Sequence, residues 1–125
     1  MSKYQGSPAI NGNIEISKRR GSVFIGGDPE GLRSLAKLLY WLADADQEVH
    51  PTMPDGEREH VHLYAHGADA FGKLSPFSVT TEICRLDAKG TGNFPDKYYD
   101  DLEKHRQWRQ LVRRRCHGMV KVKRI

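Results

Sequence analysis

The chain has 125 residues, 38% of them hydrophobic and 29% charged, which suits one small core and excludes a membrane protein. Two cysteines, Cys84 and Cys116, stand in no CxxC or ligand-like spacing. That excludes a disulfide scaffold or a cysteine-based zinc module and points to a reduced, cytoplasmic protein. The net charge of +4 conceals a division: residues 1–103 hold all 16 acids and 11 Lys or Arg, whereas 104–125 hold nine Lys or Arg and no acid. An acidic body carrying a basic tail is the result.

Residues 1–12, rich in Ser, Gly, Pro and Asn, predict a flexible segment, and no hydrophobic stretch behind Met1–Gly6 suggests a secretory signal. Ile14-Glu15-Ile16-Ser17 alternates at period two, Lys18-Arg19-Arg20-Gly21 reads as a turn, and Val23-Phe24-Ile25 follows. The three predict a β-hairpin over 13–26. Asp28-Pro29-Glu30 then opens a helix. Asp28 can accept from free N–H groups of the first turn, Pro29 needs no partner there, and Glu30 suits the dipole. Leu32, Leu35, Ala36, Leu39, Leu42 and Ala43 recur at helical spacing, with Leu38 and Trp41 broadening the face. Arg33, Lys37, Tyr40 and Asp44 form the opposite stripe.

Pro51, Pro54 and Gly56 mark a loop over 46–58. A third strand over Glu59–His66 puts Val61, Leu63 and Ala65 on one face and His60, His62, Tyr64 and His66 on the other. After a loop at 67–76, a fourth strand near Phe77–Leu86 sends Phe77, Val79 and Ile83 inward and Ser78, Thr80 and Glu82 outward. Asp87–Asn93 is turn-rich. Pro95-Asp96 opens a second helix with apolar Tyr98, Leu102, Trp108, Leu111 and Val112. The predicted fold is α+β: a small antiparallel sheet of two hairpins, an amphipathic helix on one face, and a basic C-terminal helix. One domain spans 13–103, and 104–125 form a basic tail or helix.

Candidate chemistry is sparse. Gly26 and Gly31 have the spacing of a phosphate loop, but Leu32-Arg33 stands where Lys and Ser or Thr are required, so Asp28 reads as an ordinary cap. His60 and His62 share a strand face, and Glu82 or Glu15 on a neighbouring strand would complete a three-ligand set. A working site also needs partners that orient each ring, and one sequence names none. We therefore expect no cofactor and no stoichiometric metal in the purified protein. Cys84 with a histidine is only a formal nucleophile pair, and no catalytic set converges. Asp44, Asp46, Glu48, Asp55, Glu57 and Glu59 crowd one stretch against a single base, Arg58. Such a segment suits docking to a basic protein, with His60 and His62 beside it. Arg106, Arg109, Arg113, Arg114 and Arg115 of the tail resemble a phosphate-contacting arm, which makes nucleic-acid binding the alternative function.

Phe24-Ile25-Gly26-Gly27-Asp28-Pro29-Glu30-Gly31-Leu32, then Leu35-Ala36 and Leu39 to Leu42-Ala43, then His60-Val61-His62-Leu63, resemble the thirty-second family of bacterial immunity proteins in polymorphic toxin systems. The resemblance runs over about residues 14–87 and ends near Cys84-Arg85-Leu86-Asp87. It implies a small cytoplasmic protein that blocks a cognate toxin by binding it, without catalysis. A toxin with a basic surface, such as a nuclease, would complement the acidic body.

Overall fold

The computed structural model describes residues 3–67, 72–96 and 106. The alternating stretch Ile14–Arg19 forms strand β1 and pairs antiparallel with β2, Ser22–Gly27, in the register Ile14↔Gly27 and Ile16↔Ile25. Ile14 and Ile16 fall on the inner face and are 1% and 4% exposed. On the other face the Arg19 guanidinium lies 3.8 Å from the Phe24 ring centroid.

Asp28 caps helix α1, Pro29–Asp44, as expected: its Oδ1 accepts from the Gly31 N–H at 2.7 Å. The same carboxylate accepts from the backbone and side-chain N–H groups of Asn13 at 3.1 and 2.6 Å, tying the helix start to the entry of β1. The buried stripe differs from the predicted one. It consists of Gly31, Ser34, Leu35, Leu38 and Leu42, while Leu32 and Leu39 are 46% and 45% exposed and Ala36 and Ala43 face solvent. Two small residues cause the rotation. A Cβ at Gly31 would sit 2.2 Å from the Asn13 oxygen, so only glycine lets the helix approach β1 there. The Ser34 hydroxyl donates to the Asn11 carbonyl at 2.7 Å and accepts its N–H at 2.9 Å, which satisfies a buried polar group.

The second sheet pairs β3, His60–Leu63, with β4, Thr81–Cys84, in the register His60↔Cys84, Val61↔Ile83, His62↔Glu82 and Leu63↔Thr81. The predicted fourth strand is therefore shorter, and its beginning is a turn along β1. Ser75 and Val79 donate to the Ile14 and Ile16 carbonyls at 2.7 and 2.8 Å, and Ser78 donates to the Ser75 carbonyl at 3.0 Å. That turn carries Phe77 out to 81% exposure, contrary to its predicted inward position. It also brings the Ser78 hydroxyl inward to accept from the Ile16 N–H at 3.0 Å. The reason is local: Pro76 starts a turn more readily than it continues a paired strand. Val79 and Ile83 do pack on the core, as predicted.

That core joins both sheets to the helix through Ile10, Ile14, Ile16, Leu35, Leu38, Leu63 and Leu74, with Trp41 and Val61 at its margin. Among the described residues the architecture is α+β, with helix α1 and two separate two-stranded antiparallel sheets in place of the single sheet predicted. The predicted flexible segment makes specific contacts where it is described. Ile10 is buried, and Trp41 Nε1–H donates to the Gln5 carbonyl at 3.0 Å. Every named element lies in one unit, Met1–Asn93. The predicted second helix and basic tail lie outside the described residues apart from Pro95, Asp96 and Arg106. Among the described residues, no helix is long and apolar enough to cross a membrane.

Candidate functional site

The acidic segment begins where α1 ends. Asp46 opens a single 3₁₀ turn, Gln47–Val49, by accepting from the Glu48 N–H at 3.1 Å. Asp44, Asp46, Glu48, Asp55 and Glu57 are all exposed. Glu59, expected among them, is instead 4% exposed. Strand parity is the signal that would have found it, because Glu59 shares the inward face of Val61, Leu63 and Ala65. Its Oε1 accepts from the Tyr4 hydroxyl, and its backbone N–H donates to Gln47 Oε1 at 2.9 Å. Its Oε2 lies 3.8 Å from His50 Nε2. Burial first, then the hydrogen bond and charge of Glu59, push the Tyr4 phenol up from its ordinary range, which keeps it protonated as the donor.

The loop is braced by cations aimed at carbonyls. Lys89 Nζ donates to the His50 and Met53 carbonyls at 2.8 and 2.6 Å. Arg58 Nε donates to the Leu86 carbonyl at 2.7 Å. Arg85 donates to the Ala45 carbonyl at 2.7 Å and pairs with Asp87 at 2.6 Å. Gln47, 6% exposed, bridges these parts by donating to the Asp87 carbonyl at 3.2 Å while accepting from Glu59. Gly90, at φ 79°, approaches so closely that a Cβ there would meet the Asp55 carboxyl at 2.5 Å. With these cations committed, no ion pair among the described residues involves Asp44, Asp46, Glu48, Asp55 or Glu57. Five carboxylates therefore project from a held backbone. Sequence reasoning singled out neither Gln47, Arg85 nor Lys89, whose partners lie about 40 residues away along the chain and leave no local pattern.

Beside this segment lies a groove of about 380 Å³ lined by Lys3, Tyr4, Trp41, Val49, Asp44 and Asp46. Tyr4 and Trp41 meet edge to face, with centroids 6.3 Å apart. Aromatic walls with two carboxylates suit a cationic side chain.

His60, His62, Tyr64 and His66 all face solvent, as predicted. Ligand atoms of His60, His62 and Glu82 lie within 4.8 Å of one another, which selects Glu82 over Glu15 as the neighbouring carboxylate. Glu15 belongs to the other sheet, where it accepts from Ser17 and meets Arg19 at 3.7 Å. Cys84 stands opposite His60, but its thiol donates to the Arg85 carbonyl at 2.9 Å. Desolvation, reinforced by Glu82, holds that thiol above its ordinary pKa. Arg106 is exposed, and Arg109, Arg113, Arg114 and Arg115 lie outside the described residues.

Residues 22–79 match the sequence model of a family described as Immunity protein 32, and the resemblance noted from the sequence is borne out over that segment. The match runs from β2 through α1, the acidic segment and β3 to the turn at 75–79. No curated protein and no solved structure matches the chain.

Proposed function

We propose that this chain is a non-catalytic immunity protein that binds a cognate toxin in the cytoplasm and neutralises it. Docking runs through the acidic segment 44–57, with Asp44, Asp46, Glu48, Asp55 and Glu57 as the contacting charges. The observation that carries this reading is the set of five exposed carboxylates with no ion-pair partner among the described residues, on a backbone held by Lys89, Arg58 and Arg85, inside the stretch that matches the immunity family.

The physics favours a partner with a basic surface, such as a nuclease whose own cleft attracts phosphates. Complementary potentials accelerate encounter and fix orientation. A braced loop also loses less conformational freedom on docking than a free one. The groove between Tyr4 and Trp41 supplies an anchor point, where an Arg or Lys of the toxin meets aromatic faces and the carboxylates of Asp44 and Asp46. His60 and His62 stand outside this charge set.

The test is protection. A cognate toxin domain is expressed with the intact protein or with a variant carrying Asp44, Asp46, Glu48, Asp55 and Glu57 all changed to Ser. The intact chain should restore growth, and the variant should fail at equal protein level. Full protection by the variant would remove the acidic segment from the mechanism.

A further inference from the structure

A second site stands on the outer face of β3 and β4. His62 and Glu82 are direct cross-strand partners, and His60 lies two residues before His62 on the same face. Their ligand atoms lie within 4.8 Å of one another. We propose that His60, His62 and Glu82 bind one divalent transition-metal ion of the zinc class.

The ring orientation carries the argument. His60 Nδ1 lies 3.0 Å from the Arg58 carbonyl. A carbonyl only accepts, so this nitrogen carries the proton and Nε2 keeps its lone pair for an ion. That is the arrangement in which an outer partner orients a ligating imidazole and raises its basicity. The His62 ring lies between those of His60 and Tyr64 on the strand face. It meets His60 edge to face at 4.9 Å and stacks on Tyr64 at 6.1 Å with an 18° interplanar angle. The strand thus supplies an outer partner for His60 that the sequence alone did not reveal.

Two imidazoles and a carboxylate suit Zn²⁺, Co²⁺ or Ni²⁺ rather than Mg²⁺ or Ca²⁺, which favour all-oxygen sets. Zinc bonds of about 2.0–2.1 Å place tetrahedral neighbours about 3.4 Å apart. The three exposed side chains, with ligand atoms within 4.8 Å of one another, reach that spacing by small torsions within their rotamer wells. A fourth position stays open to water or to a donor from another molecule. Cys84 stands outside the set, with its Sγ turned to the Arg85 carbonyl. His60 and His62 lie inside the matched segment 22–79, and Glu82 lies beyond it. The site is independent of the docking charges of 44–57.

Calorimetric titration of the untagged full chain with zinc chloride, and optical titration with cobalt chloride, test the site. The expected result is one ion per chain. His62→Ala and Glu82→Gln should each weaken binding roughly tenfold or more. His66→Ala, an exposed histidine outside the cluster, should leave it unchanged. All three variants sit on the surface, and circular dichroism checks that they remain folded. No saturable binding by the intact chain, or binding that survives His62→Ala and Glu82→Gln together, would overturn the proposal.

Discussion

The two sides of this molecule hold themselves together by different means. Around β1, β2 and α1, stability rests on apolar burial, with Ile14, Ile16, Leu35 and Leu38 each at most 9% exposed. Around the acidic segment, hardly any apolar group is buried. Lys89, Arg58, Arg85 and Gln47 knit the segment to 85–93 by side-chain bonds to backbone carbonyls. The first arrangement makes a fold. The second makes a surface, because cations committed to carbonyls leave nearby carboxylates uncompensated.

The contrast breaks most visibly in the core. Leu38→Ala removes a side chain that is 2% exposed and should cost about 2–5 kcal/mol, read from the urea midpoint. Gln47→Leu should cost about 1–3 kcal/mol, because it strands the Glu59 N–H and the Asp87 carbonyl without partners. Hydrogen exchange should locate that loss at residues 45–59 and leave β1 protected.

Acid provides a third separation. Hydrogen bonds from Gly31 and Asn13 hold the Asp28 carboxyl below its ordinary pKa, and the Arg85 guanidinium does the same for Asp87. Both groups prefer the ionised form when folded. Their contribution is therefore complete above the unfolded value of about 3.9 and disappears as pH falls through the lowered folded values. The urea midpoint should hold between about pH 7 and 5 and fall below about pH 4. Asp28→Asn, which keeps a capping oxygen, should flatten part of that fall. The smallest effect belongs to the single changes Asp44→Ser and Glu57→Ser. Both side chains are exposed and enter no ion pair among the described residues, so each change should shift stability by no more than about 0.5 kcal/mol.

What the sequence revealed follows the same division. The β1–β2 turn, the Asp28 cap and the alternation of His60, His62 and Tyr64 depend on neighbours in the chain, and all three are legible. The helix face is legible only in part, because Gly31 and Ser34 are buried for reasons hydropathy does not register. Phe77 misleads because an aromatic residue in a β-rich stretch reads as core, whereas Pro76 places it on a turn. The bracing of the acidic segment joins residues about 40 positions apart, and no periodicity encodes it. His60, His62 and a neighbouring carboxylate were visible as residue types, but the Arg58 carbonyl beside His60 Nδ1 appears only in the folded strand.

The most direct test of the account is the salt dependence of toxin binding. The affinity of a cognate toxin domain is measured for the intact chain and for the five-acid variant across an ionic-strength series. The account predicts that the intact chain's affinity falls steeply with salt, through slower association, and that the variant binds at least roughly tenfold more weakly at low salt with a flattened slope. Equal affinities and equal slopes for the two proteins would contradict it.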